Sequence, residues 1–288
     1  MSLFKKKIYL YLYIFFLTLL FFFNEFSTNQ VFSKNYIISD VQVEENYDLN
    51  FDKSKIIDKG FVKAFNTLVY KILEKKDRKK LTNTPLKQIK SLIDNFSIVD
   101  EKFINNKYKS QFEVQFNRKK TINFLEKKNI ISSLPKQIES FVLPVLIDAK
   151  FNELYYSNQN TFFLNWNKES RKYFLINYVL PNQDIEDYSN IKKNIANVEN
   201  YDFNEITSKY NLKNQIILIL LKKENQIKAY SKIKFGKKKM LMNNIYNDVN
   251  INNEESVKNL ILDIKEKYED KWKSINKLNH INCLPIRL

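Results

Sequence analysis

The sequence has very little glycine, histidine and cysteine. Its 288 residues include two Gly, one His and one Cys. Two glycines are too few for a glycine-rich phosphate loop. A single cysteine, Cys283, excludes a disulfide within the chain, and together with His280 it supplies too few ligands to close a tetrahedral zinc site. We therefore predict neither a metal nor a cofactor.

Basic residues outnumber acidic ones, but nearly all of them are lysine. Lys and Arg total 48 against 32 Asp and Glu, a net charge of +16. Only four of the 48 are Arg, whose forked guanidinium is the usual reader of phosphates and bases. A bias toward Lys and Asn is also what AT-rich codons produce. We therefore predict no nucleic-acid partner, and a Lys-rich anionic-surface binder remains an alternative function.

The first 33 residues have the layout of an export signal. Lys5–Lys7 precede an uncharged apolar run over residues 8–23, and a polar stretch follows it. The run is 16 residues long, between a typical signal core and the roughly 20 residues that cross a bilayer. Cleavage near Ser33 and retention as an inner-membrane anchor both remain open. In either case the preceding lysines stay in the cytoplasm, so the rest of the chain is predicted to be periplasmic.

Residues 34–130 are predicted to form a first α+β module. Strand alternation and helical periodicity give the order β-α-α-β-β-α, with helices over an antiparallel sheet. The predicted elements are a strand at Tyr36–Glu44, a helix capped by Ser54, a helix opened by Thr84 and Pro85, strands Ser97–Ile104 and Lys107–Phe116 around the turn Asn105–Asn106, and a helix over residues 118–129.

Residues 131–140, which contain Pro135, are the predicted linker, and residues 141–278 form a second α+β module before a tail at 279–288. The predicted elements are strands at Phe141–Ala149, Tyr173–Leu180, Gln215–Leu221, Ile227–Phe235 and Lys239–Tyr246, and helices at Asp184–Val198, at Asp202–Tyr210 and from a cap at Asn252. Pro144 has no N–H, which favours an edge or a bulge there. The long apolar stripe of the last helix predicts docking on the sheet of this module.

Two groups of residues are candidate ligand-binding sites. Asp184, Glu186 and Asp187 follow a predicted strand at the start of a helix, where open α/β sheets often bind ligands. They suit acid-base chemistry or cation binding, but they also suit a helix cap and an acidic first turn. Asn165 and Trp166 lie among aromatic and amide residues, as in a glycan groove, or they belong to the core.

Several motifs, taken in order, resemble those of a known family. They are Gly60–Phe65 and Leu68 on the long helix, the turn Asn105–Asn106, Leu143–Val145, Asn165–Trp166, Leu180–Asp184 with Asp187, and Trp272–Lys273. Together they resemble the uncharacterised bacterial family catalogued as domain of unknown function two thousand and sixty-six, over about residues 36–277. The chain lacks the Gly that relatives place in the hairpin turn and ahead of Asp184, and the Pro beside the tryptophan. The resemblance implies an exported, envelope-facing protein of Gram-negative bacteria and brings no activity, catalytic residue or cofactor.

The sequence therefore predicts an exported, non-enzymatic binding or scaffold protein of the bacterial envelope, whose partner is an envelope protein or a glycan. One alternative is a carboxylate-dependent hydrolase acting on an envelope glycan. That hydrolase requires Asp184, Glu186 and Asp187 to converge in one cleft with raised pKa values. A Ser-His-Asp site is excluded, because the one histidine lies near the C-terminus and no nucleophile elbow is present.

Overall fold

The computed structural model describes residues 36–155 and 157–277. The signal-like segment, His280 and Cys283 lie outside the described residues. Among the helices of the described ranges, none is long and apolar enough to cross a membrane. The fold is α+β and divides into two compact units. The first comprises the residues up to Val69 with Asp77–Pro135, and the second comprises Tyr70–Lys76 with the chain from Lys136 onward.

The first unit is built on a three-stranded antiparallel sheet with the order β1-β3-β2. Its strands are β1 (Ile37–Asn46), β2 (Ile93–Ile104) and β3 (Lys107–Phe116). The helices of this half of the chain are α1 (Lys53–Ile72), α2 (Lys75–Arg78), α3 (Leu86–Leu92) and α4 (Arg118–Glu126). The predicted order of strands and helices is confirmed, with the short α2 and a 3₁₀ turn at Lys79–Leu81 added after the long helix.

Local chemistry explains the central contacts of this unit. Asn105 and Asn106 both have positive φ, 52° and 57°, as a tight two-residue hairpin requires, and Asn tolerates this conformation better than most residues. Helix α1 lies close to β3, because a Cβ on Gly60 would stand 3.0 Å from the Phe112 ring. The glycine therefore permits a helix-to-sheet approach that a larger residue would prevent.

The second unit is built on a mixed six-stranded sheet. Its strands are β4 (Ile138–Asp148), β5 (Glu153–Tyr155), β6 (Ile176–Val179), β7 (Gln215–Lys223), β8 (Gln226–Phe235) and β9 (Lys238–Tyr246). The order is β5-β4-β7-β8-β9, and β6 also pairs with β4. Strand β4 is parallel to β6 and β7, and the other pairs are antiparallel. The helices are α5 (Thr161–Asn165), α6 (Ile185–Lys193), α7 (Asn204–Ser208) and α8 (Glu254–Ile275).

Alternate residues of β4 and β7 enter two separate cores, one on each face of the sheet. The first core contains Val142, Leu146 and Leu218 together with α5 and α8. The second contains Leu143, Val145 and Ile219 together with α6 and α7. The docking of the last helix on the sheet of its own unit is therefore confirmed. A strand buried on both faces explains why β4 reads as a continuous apolar run.

Pro144 lies in an inner strand, and the interpretation as an edge needs correction. On the side away from β7, β4 pairs with β6 at residues 138–141 and with β5 at residues 146–148. Residues 142–145 have no partner strand on that side within the described chain. The Pro144 carbonyl accepts a hydrogen bond there from Asn160 Nδ2 at 2.9 Å. The missing N–H of Pro144 therefore costs no ladder bond, because no strand of the described chain lies beside residues 142–145 on that side.

Predicted helix starts were wrong by one or two residues in three places. At α3 the cap position is Pro85, not Thr84, and the helix begins at Leu86. The other two are predicted side-chain caps. Asp52, not Ser54, caps α1, because its carboxylate accepts from the Ser54 N–H at 2.8 Å. Asn253, not Asn252, caps α8 and accepts from Ser256 N–H at 2.9 Å. At the start of α1 and of α8, two nearby polar residues could each have served as the cap. The cap is the one whose side-chain oxygen reaches a first-turn N–H group.

Other element boundaries also differ from the prediction. The strand at Tyr173–Leu180 shortens to β6, the helix at Asp202–Tyr210 shortens to α7, and α6 ends at Lys193 before a 3₁₀ turn. Strand β4 begins at Ile138, inside the predicted linker, because Ile138–Phe141 pair with β6. These short elements depend on partners distant in sequence, which a local pattern does not contain.

Candidate functional site

A cleft in the second unit opens where the sheet is interrupted beside β4. It has a volume of about 60 Å³, room for roughly four water molecules. Its residues come from the middle of β4, from β5, from the loop after β6 and from α5, α6 and α7, and include Leu143, Val145, Leu154, Tyr155, Asn160, Phe163, Asn182, Asp184, Asp187 and Tyr188. Most of the lining is aliphatic or aromatic, and its polar groups gather at the loop and the start of α6.

Separate hydrogen bonds hold the loop after β6 and the opposite side of the cleft. The Asn182 N–H donates to the Tyr210 hydroxyl at 2.7 Å. Across the cleft, buried Asn160 donates to the Pro144 carbonyl, and its Oδ1 accepts from the Phe163 N–H at 3.1 Å. The loop lies at the carboxyl end of a parallel strand, the position where open α/β sheets commonly bind ligands.

Lys209 brings two of the predicted carboxylates together. Its ammonium donates to Asp184 Oδ2 at 3.0 Å and to Asp187 Oδ1 at 2.6 Å. Asp184 also caps α6, because its Oδ1 accepts from the Glu186 N–H at 2.8 Å. Glu186 itself is exposed and is not among the residues that line the cleft. The structure therefore combines both interpretations of the acidic run, since Asp184 is a cap and also lines a cleft.

The electrostatics of this corner favour the charged form of Asp184. The hydrogen bonds from Lys209 and from the Glu186 N–H lower the pKa of Asp184. The hydrogen bonds that Lys209 donates to Asp187 and Asp184 raise the pKa of its ammonium. An acid catalyst needs the opposite shift, a carboxyl group whose pKa is raised so that it holds a proton near neutral pH. Asp184 is therefore suited to hold a cation and not to donate a proton.

Trp166 lies in the core on the other face of the sheet, and Asn165 is the partly exposed residue before it. Trp166 is fully buried, and its ring is 5.6 Å from the Tyr178 ring. Asn165 Nδ2 donates to the Thr161 carbonyl at 2.9 Å, within the α5 turn. The structure therefore does not bring these two residues into the cleft with the carboxylates. Of the two interpretations of Trp166, the structure supports a core residue, because neither face of its buried ring is available for a sugar.

Buried charges lie next to Trp166 on α8. The Lys265 ammonium donates to the Trp166 and Glu169 carbonyls, each at 2.6 Å, and lies 4.7 Å from the centre of the Tyr178 ring. Burial lowers the pKa of Lys265 to about 8. One turn later, burial raises the pKa of Glu269. No cleft residue belongs to this cluster, and its contacts anchor the segments before β6.

Sequence reasoning missed Lys209, Asn160 and Tyr188. Lys209 lies 22 residues after Asp187 in a lysine-rich chain, so no local signal distinguishes it. Asn160 carried a detectable signal, since an Asn three residues before Phe163 is a plausible helix cap. Among the described residues, no three His, Cys, Asp or Glu are grouped so that they could hold a metal ion.

No protein-family model matches the chain, and no curated protein matches it. The resemblance to the bacterial envelope family therefore stays a prediction that depends on the motifs and their order.

Proposed function

We propose that the protein is an exported, non-enzymatic binding or scaffold protein of the bacterial envelope, and that the cleft beside β4 holds part of its partner. Membership of the family catalogued as domain of unknown function two thousand and sixty-six is part of this proposal. The partner is an envelope protein or a glycan, which places an aliphatic or aromatic group against Leu143, Val145 and Tyr188. The α+β fold of the chain is consistent with such a module.

The observation that carries the binding role is the position of Lys209 between Asp184 and Asp187. The three charges satisfy one another, and the lowered pKa of Asp184 keeps it ionised. The surface that remains open to a ligand is mostly apolar, with amide groups at its rim. Such a surface can bind a ligand without transferring a proton to it. Binding is therefore the use that this geometry supports best.

The alternative of a carboxylate-dependent glycan hydrolase has less support. It needs two carboxyl groups on either side of a bond, one of them with a raised pKa. Here Asp184 and Asp187 share one lysine, and Glu186 is exposed to solvent away from them. The hydrogen bond from Lys209 lowers the pKa of Asp184, which opposes a role as an acid.

A reporter fused to the C-terminus tests the proposed export from the cytosol. We expect a reporter enzyme that requires disulfides to be active on the full chain, because residues 8–23 would direct the fusion out of the cytosol. The control fusion begins at Lys34 and lacks the apolar run, so it should be inactive. Protease treatment of spheroplasts with an immunoblot then distinguishes the soluble, cleaved form from the anchored form. Equal inactivity of both fusions would refute export.

A photo-crosslinking phenylalanine analogue at Tyr188 tests the cleft. Tyr188 is half-buried in the cleft lining, so we expect a discrete adduct when intact cells are irradiated. The matched control places the analogue at Phe151, which is 68% exposed and is not part of the cleft. Gel shift and mass spectrometry measure both. The same adducts from both positions, or none from Tyr188, would show that the cleft is not the binding site.

A further inference from the structure

Strand β9 lies at the end of the sheet opposite to the cleft. It is last in the order β5-β4-β7-β8-β9, and β8 is the strand with which it pairs in the described part of the chain. It is nine residues long. A long edge strand with apolar side chains is a template for pairing with another chain, and natural proteins normally block such edges.

The outward backbone groups of β9 follow from the turn before it. Strands β8 and β9 are joined by Gly236 and Lys237, and Gly236 has a φ of +59° at the first turn position, which favours glycine. Phe235 and Lys238 close this two-residue turn. Because alternate residues of an antiparallel pair turn their N–H and C=O groups away from the partner, the outward set is Lys239, Leu241, Asn243 and Ile245.

The same residues present their side chains on one open face. Leu241 and Ile245 are 65% and 63% exposed, although both are large and apolar. On the opposite face, Met240 and Met242 pack against the core beneath α8. Strand β9 is therefore well packed on one face, because Met240 and Met242 alternate with the exposed residues as expected for a half-buried strand. The exposure of Leu241 and Ile245 is not caused by poor packing of the strand.

Lysines flank this face without carboxylate partners. Lys234 lies directly opposite Lys239 in the β8–β9 register, and within the described chain neither forms an ion pair. Like charges placed opposite each other are destabilising. Both line a depression of about 480 Å³, whose one acidic side chain, Asp202, accepts hydrogen bonds from Asn204 at 3.0 Å. An anionic partner would remove the repulsion between the two lysines.

We propose that the β9 edge binds an extended acidic segment of a partner protein by strand addition. The backbone of the segment would pair with the outward groups from Lys239 to Ile245. One carboxylate of the segment would lie beside Lys239, on the same face as the long Lys234 side chain of β8, and the apolar side chains of the segment beside Leu241 and Ile245, since neighbouring strands place side chains in register. An extended peptide is the occupant because an open strand edge offers hydrogen bonds that a lipid surface does not use.

Fluorescence anisotropy tests this assignment with a labelled extended peptide. Successive residues on one face of the peptide strand are Glu and Val, and Thr occupies the positions between them. We expect saturable binding to the full chain that weakens with added salt. The double variant Lys234→Gln and Lys239→Gln should lose about tenfold in affinity, since it removes the exposed ion pairs with the peptide. The matched control, Lys237→Gln and Lys238→Gln, removes the same charge from the same hairpin, but from the turn and the other face, and should retain most of the affinity.

Two further probes separate strand addition from simple charge attraction. Methylation of alternate backbone nitrogens on the peptide edge that faces β9 should abolish binding, because it removes the hydrogen bonds. Vesicles of phosphatidylcholine with phosphatidylglycerol should show no dependence on Lys234 and Lys239. Equal losses in the two double variants, unchanged binding of the methylated peptide, or vesicle binding that is lost in the Lys234→Gln and Lys239→Gln variant would overturn the proposal. None of these outcomes bears on the cleft, which lies at the other end of the sheet.

Discussion

Replacing Glu269 by alanine is expected to lower the free energy of unfolding by about 3 to 5 kcal/mol, as when one partner of a buried charge pair is removed. The Glu269 carboxylate is fully buried, and its Oε1 accepts the N–H groups of Leu175 and Ile176, each at 2.8 Å, at the start of β6. The buried Lys273 ammonium lies 3.8 Å from Oε2. Truncation leaves two buried donors without an acceptor. Denaturant unfolding followed by circular dichroism measures the loss.

Two further glutamate variants distinguish the loss of the buried Glu269 contacts from the general effect of replacing a glutamate on a helix. Glu269→Gln keeps a carbonyl acceptor for the two N–H groups, so its loss should be clearly smaller than that of Glu269→Ala. Glu255 lies on α8 with a side chain that is 67% exposed, and Glu255→Ala should change stability by less than about 1 kcal/mol. Losses of the same size in Glu269→Ala and Glu255→Ala would contradict the structural role of Glu269.

Stability is expected to rise with pH above 8 because of Lys265. Burial lowers the pKa of its ammonium from the ordinary 10.5 to about 8. Between these values the unfolded chain retains a proton that the folded chain has released, so raising the pH favours folding. The shift corresponds to about 3 kcal/mol, gained between pH 8 and pH 10.5. Below pH 8 both states are protonated, and the burial penalty is present in full.

Comparison with Lys265→Met isolates this contribution. The groups near Lys265 are Glu169, Glu269, Tyr178 and the Trp166 ring. Burial raises the pKa of Tyr178, which removes stability as the pH rises above 10 in both proteins. The difference between the wild-type and variant unfolding curves therefore reports on Lys265. Lys265→Arg, which stays charged, should also lack the rise. A rise that persists in both variants would show that Lys265 does not cause it.

The sequence alone determined the features that depend on neighbouring residues. Asn105–Asn106 predicted the hairpin, because the turn conformation is a property of those two residues. The stripe from Val257 to Trp272 predicted the buried face of α8, because helical spacing lines up the apolar side chains. Asp184 predicted the start of α6, since a carboxylate caps the helix that follows it. These signals gave the α+β class and most elements, with errors of a few residues at their ends.

Only the tertiary structure decided which distant segments meet. The parallel pairing of β4 with β7 joins Phe141 to Gln215, and no local pattern carries that register. On the other side of β4, the gap between β6 and β5 interrupts the sheet beside Pro144 and so creates the cleft. The fold also places Trp166 and Asp187 on opposite faces of the sheet, and it selects Lys209 from 44 lysines as the partner of two carboxylates. Such contacts depend on the path of the whole chain, whereas a cap, a turn or a stripe depends on a few adjacent residues.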